Sequence, residues 1–251
     1  MSSAPPSDAI CLFPKKNRWF HVDVWEAMLK TDYDLSAATT ITKVTHCKST
    51  KDVAHEFVIV EMEVQLQSFR RPVYMVTDRG PTKNHGRSSS FPLLSIPPTS
   101  SPHPSSGGSM IRTVSADDCV WVPYKGLKKA FDSLVLKKMG GSNVVSELYW
   151  PSNEISLPAM SVMQLAVLLR TIHDHRDQYA ANSHSCYWYA FTVMEVIRLK
   201  FGAHEEKGPA FGDRSRFLGK KMDVDDDTNA VSTLYDVRWA DWMKKVKKRE
   251  V

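Results

Sequence analysis

Cysteine is scarce and unpaired here. Cys11, Cys47, Cys119 and Cys186 lie far apart with no CxxC spacing, which argues against a disulfide scaffold and against a zinc site built on cysteine pairs. Reduced thiols are the simpler expectation. No uninterrupted apolar run is long enough to span a bilayer. The stretch Met1 to Asp8 lacks the charged and apolar regions of a signal peptide, so a cytoplasmic location is expected. The net charge of +5 comes without a zinc-finger, RNA-recognition or helix-turn-helix pattern. Much of it sits in Lys244, Lys245, Lys247, Lys248 and Arg249, so a solvated basic tail is expected rather than a nucleic-acid site. The acidic run Asp223 to Asp227 lacks the glycine and distal Glu of an EF-hand loop, and no calcium site is expected there.

Apolar material is ample. The 251 residues are 42% hydrophobic and 10% aromatic, enough for one large domain or two small ones. Val22 to Lys30 carries an imperfect helical face. Ser36 to His46 is rich in Thr, Ile and Val and predicts a strand or an irregular edge. Ala54 to Val64 predicts a stronger strand, with Val60, Met62 and Val64 on one face and Glu61 and Glu63 on the other. By the same parity His55 shares a face with Phe57 and Ile59. Val73 to Asp78 predicts the antiparallel partner, with Gln65 to Pro72 as the hairpin loop.

From Arg79 to Met110 the composition changes to Ser, Pro and Gly, which predicts a disordered insertion at 80–110. Short strands follow at Ile111 to Val114 and Cys119 to Val122, then a helix over Tyr124 to Met139 that stops at Gly140-Gly141, and a strand over Val144 to Trp150. A long helix is predicted from Leu157 to Ala180. It leads into a second helix that begins near Cys186 and breaks at Gly202, and the two should pack as a hairpin. The expected organisation is one α+β domain over 18–203, a small antiparallel sheet packed against that hairpin, then a polar segment and a basic amphipathic helix within 204–251.

The chemistry centres on Cys186. Asn182, Ser183 and Ser185 are residues that cap helices, which places Cys186 in a first turn where the helix dipole favours a thiolate. A nucleophilic thiol needs an imidazole, and the imidazole needs a polar partner to fix its tautomer. In an antiparallel hairpin the start of one strand lies beside the end of the next, so His55 and Asp78 can be neighbours. Two other constellations compete. His173, His175, His184 and Cys186 could bind zinc, although His173 and His175 point in different directions on a helix. Tyr187, Trp188, Tyr189 and Phe191 could form a binding surface, although consecutive aromatics cannot share one helical face.

His55-Glu56-Phe57 opening a strand, Asp78-Arg79 closing the next, and Cys186-Tyr187-Trp188-Tyr189-Ala190 opening a helix resemble a group of uncharacterised fungal proteins. That arrangement in turn resembles the circularly permuted papain-like superfamily, which includes lecithin:retinol acyltransferase and relatives of bacterial cell-wall endopeptidases. The resemblance covers Lys51 to Asp78 and Ala116 to Gly202. It implies Cys186 as nucleophile, His55 as base and Asp78 as the orienting residue, where the superfamily often has His or Asn. The expected activity is thiol hydrolysis or acyl transfer on a peptide, amide or ester carbonyl, with no cofactor. The rival expectation is a non-catalytic interaction protein that binds a partner through its aromatic surface and basic tail.

Overall fold

The computed structural model describes residues 11–50, 55–66, 69–81, 114–150, 159–179, 185–217 and 220–247. The insertion expected at 80–110 falls outside these residues from position 82 onward. In chain order the elements are β1 (Arg18–His21), α1 (Val22–Thr31), α2 (Tyr33–Ala37), β2 (Thr39–Ser49), β3 (Glu56–Leu66), β4 (Phe69–Pro81) and β5 (Val114–Val122). There follow α3 (Lys128–Met139), β6 (Ser142–Tyr149), α4 (Val162–His175), β7 (Gln178–Tyr179), α5 (Cys186–Phe201), β8 (His204–Lys207), β9 (Arg216–Phe217), β10 (Lys220–Lys221) and α6 (Thr228–Lys247).

Alternation along β3 sets the layers. Val58, Val60, Met62 and Val64 project to one face, where they join Val44, Val73, Met75 and Leu148 from neighbouring strands. Trp25 and Leu29 of α1, Leu165 and Leu169 of α4, Trp188 and Val193 of α5, and Tyr235 of α6 complete this main core. Phe57, directly before Val58, turns the other way and packs with Cys47, Val76 and the α3 residues Phe131, Val135 and Met139. Period-two strands thus feed two apolar layers, a large one under α1, α2, α4, α5 and α6 and a small one under α3.

The class is α+β, as expected. The sheet is wider than a few strands: eight strands pair antiparallel in the order β1-β5-β4-β3-β2-β6-β8, with β7 added on β5. Strands β9 and β10 form a separate two-stranded ribbon. Because β8 pairs with β6, the sheet continues past residue 203. Helices α4 and α5 pack side by side as a pair, and α6 packs on both. Among the described residues no helix is long and apolar enough to cross a membrane.

Several expected boundaries move. The β3–β4 hairpin is much tighter than Gln65 to Pro72, since pairing runs out to Leu66 opposite Phe69 and Pro72 lies within β4 opposite Glu63. Strand β4 also runs on through Arg79, Gly80 and Pro81, which pair with Asp118, Asp117 and Ala116, so the strand ends later than Asp78. Arg79 is drawn in because its guanidinium finds buried partners. Helix α4 begins only at Val162, where Ser161 and Gln164 form a capping box, and it ends at His175 because Gln178 and Tyr179 leave to pair with β5. The Cys11 to Phe13 stretch, ahead of the expected domain start at 18, is buried, and the Trp25 indole donates a hydrogen bond to the Cys11 carbonyl.

Candidate functional site

Register brings the first two side chains together. Val58 pairs with Thr77 across β3 and β4, so the residue entering β3 and the residue following Thr77 meet at one end of the sheet. There His55 Nε2 lies 2.9 Å from Asp78 Oδ1. The imidazole also stacks over Phe57 with ring centroids 6.2 Å apart, as the shared parity of the two residues requires. The third side chain arrives from α5, whose first residue is Cys186. Its thiol hydrogen-bonds the His55 ring. The structure therefore brings Cys186, His55 and Asp78 into one cluster in which Cys186 is 5% and Asp78 3% exposed.

The start of α5 differs from the expectation in one respect. Ser185 holds the N-cap position with extended backbone but makes no side-chain cap, and Asn182 and Ser183 lie outside the described residues. The Cys186 N–H is instead taken by the phenol oxygen of Tyr179. Nothing in the sequence singled out Tyr179, a lone aromatic in the polar stretch between α4 and α5.

The electrostatics follow from this packing. Burial works against a charge on His55, but Asp78 and Cys186, through charge and hydrogen bonds, hold its pKa well above the ordinary 6.5. The Tyr179 phenol is pushed up by burial, then by the adjacent Cys186 and Asp78. Burial also raises the other thiols: Cys11 and Cys47 to about 12, and Cys119, beside Asp78, well above its ordinary value. Those three are poor nucleophiles at neutral pH.

Two buried charged residues hold the cluster in place, and both lie next to a candidate residue in the chain. Arg79, fully buried, pairs with Asp118 Oδ2 at 3.1 Å, stacks 4.9 Å over the Trp188 ring and donates to the carbonyls of Arg176 and Gln178. It thereby ties the strand carrying Asp78 to the segment carrying Tyr179 and to the helix carrying Cys186. Glu56, also fully buried, meets His46 Nε2 at 2.8 Å and accepts the Ser215 N–H at 2.7 Å.

The competing constellations come apart. His173 turns to Asp118 and His175 to Asp227, so the two histidines serve different carboxylates; His184 is outside the described residues. Among the described residues no cluster of His, Cys, Asp and Glu is arranged to hold a metal ion. Tyr187, Trp188 and Tyr189 are buried, which removes them from any aromatic surface; Trp188 and Tyr189 are spent on the main core. The acidic run ends by starting a helix: Asp226 accepts the Thr228 N–H, and Asp227 takes Arg176 and the Trp188 indole. No family model, curated protein or solved structure matches the chain.

Proposed function

We propose that this protein is a cysteine-nucleophile enzyme acting on an amide or ester carbonyl, a thiol hydrolase or acyltransferase on a permuted papain-like frame. The observation that carries the reading is the His55 ring held between the Asp78 carboxylate and the Cys186 thiol, with that thiol at the start of a helix of 16 residues. The chain order of histidine strand before cysteine helix supports the permuted frame.

In this reading Cys186 passes its proton to His55, and the sulfur adds to the carbonyl carbon. Asp78 on Nε2 orients the ring and stabilises the imidazolium, so Nδ1 exchanges the proton with the sulfur. The developing oxyanion takes the Cys186 N–H, displacing the Tyr179 phenol from it, and is helped by the positive end of α5. His55 then protonates the leaving amine or alcohol as the C–N or C–O bond breaks, giving a thioester. Water or another acceptor, deprotonated by His55, releases the acyl group. Every proton is accounted for by the three side chains and the acceptor, and no cofactor is called for.

The test is the rate of iodoacetamide alkylation at each cysteine against pH. The expected result is that Cys186 is modified at pH 6 far ahead of Cys11, Cys47 and Cys119, and that His55→Ala slows it about tenfold or more. A Cys186 no faster than a free thiol, with no response to His55→Ala, overturns the reading.

A further inference from the structure

The side chains that cover Cys186 come from a part of the chain outside the motif-bearing strands and helix. Met222 and Val224 pack on Cys186 and Tyr187. Exposure alternates there: Lys221, Asp223 and Asp225 are exposed while Met222 and Val224 are half-buried. This is the pattern of an extended segment that turns every second residue inward.

The segment is tied down close to the base. The Met222 N–H donates to the Ser215 carbonyl at 2.7 Å, and the Ser215 N–H donates to Glu56 Oε1 at 2.7 Å. Lys48 Nζ donates to the carbonyls of Asp213 and Arg216, each at 2.7 Å. Glu56 adjoins His55 in the chain, so the wall over the sulfur and the imidazole beside it share one anchor. At its other end Val224 reaches the main core, and Asp227 is held by Arg176 and Trp188. Met222 and Val224 are thus held from both ends of their segment against the Cys186–Tyr187 pair.

We propose that Met222 and Val224 are specificity-determining residues that select a substrate whose acyl group is apolar and uncharged. The inference rests on Cys186 being the nucleophile. An acyl group bonded to that sulfur enters the layer in which these two side chains pack on Cys186 and Tyr187. A methylene placed there leaves water, which favours each added CH2 by about fourfold. A carboxylate or ammonium placed against these inward side chains loses water and gains no polar partner from them, since the charged residues of the segment, Lys221, Asp223 and Asp225, are the exposed ones. The charges nearby are already engaged: Arg79 with Asp118, Asp78 with His55, and Glu56 with His46 and Ser215.

The experiment compares acylation of Cys186 by p-nitrophenyl butanoate and by the anionic p-nitrophenyl hemisuccinate, with N-acetylcysteine as the reference thiol. In each case the S–C bond forms, p-nitrophenolate leaves and the thiol proton passes to His55. Wild-type Cys186 is expected to favour butanoate at least about tenfold more than the reference does. Met222→Lys is expected to erase most of that preference, read as the ratio of the two esters on the same thiol so that a change in thiol reactivity common to both cancels. A wild-type ratio equal to that of N-acetylcysteine overturns the specificity proposal without any variant having to fold. So does an unchanged ratio in Met222→Lys. If Cys186 reacts with neither ester nor iodoacetamide, the nucleophile reading itself has failed, and this inference falls with it.

Discussion

The His55–Asp78 contact makes a prediction about pH that does not depend on the substrate. His55 has a folded-state pKa raised well above its ordinary 6.5, against burial, by Asp78 and Cys186. A raised pKa means that the folded state binds the proton more tightly than the unfolded chain. The stabilisation is therefore complete below about pH 6.5 and fades as pH rises through the folded value. Asp78→Asn keeps the shape and removes the charge. The variant should be less stable than wild type at pH 6, and the gap should close as pH rises, read as denaturation midpoints in urea. A gap constant with pH would show that Asp78 acts on something other than the imidazolium. The meeting of Cys186, His55 and Asp78 was legible in the sequence from strand parity and the helix start, although Asp78 lies within β4 rather than at its end. Tyr179 and Glu56 were not. A buried Glu in a strand reads as a surface residue until its partners His46 and Ser215, 10 and 159 positions away, are known.

Among the elements, β4, β7 and α5 are joined through one side chain. Arg79 and Asp118 are both fully buried, and removing Arg79 takes from Asp118 its permanent cation and leaves it with His173, a poorly compensated buried charge. Arg79→Met should cost about 3–5 kcal/mol, and adding Asp118→Asn should recover part of that, since the stranded carboxylate is then gone. Equal melting temperatures for the single and double variants would refute the pair as a brace. A second element depends on a missing side chain. Gly208, just after β8, donates its N–H to the Val145 carbonyl, and a Cβ at that position would lie 2.4 Å from the Val144 carbonyl oxygen. Gly208→Ala must push β8 off β6 and should cost about 1–3 kcal/mol, seen as a fall in melting temperature of about 2–4 °C per kcal/mol. Strand β3 and helix α5 were foreseeable from periodicity and from the Gly202 stop, where the backbone turns left-handed at φ 63°. Strands β1, β7 and β8 are four residues or fewer, too short to carry a pattern, and exist because a neighbouring edge supplies their hydrogen bonds. Continuation of β4 through Arg79 was hidden for a similar reason, as only the tertiary partners of the guanidinium make its burial tolerable.

For the molecule as a whole, ionisable groups hold the helix layer and the site end of the sheet in opposite pH regimes. Asp174 is depressed below 3.8, against burial, by Arg238 of α6 and Arg170 of α4. Asp227, at the start of α6, is depressed against burial by Arg176 and then His175. Asp23 on α1 is depressed against partial burial by His21, the Val24 N–H and Arg170. Folded values below the ordinary one mean that these carboxylates stabilise the fold above about pH 3.8, and that this contribution is lost as pH falls through their lower folded values. The acid limb of stability therefore includes the contacts among α1, α4 and α6, beside the Glu63–Arg70 pair of the β3–β4 hairpin, while the decline above about pH 6.5 includes the site end through His55. Asp227→Asn should lower the urea midpoint near neutral pH and flatten the acid limb while leaving the alkaline slope as it is; Asp78→Asn should flatten the alkaline slope, where the His55 contribution is lost. Urea midpoints from pH 3 to pH 9 for the wild type and both variants provide the check. If the two substitutions changed the same limb, the helix layer and the site would be titrating as one unit, and the separation argued from their partners would be wrong.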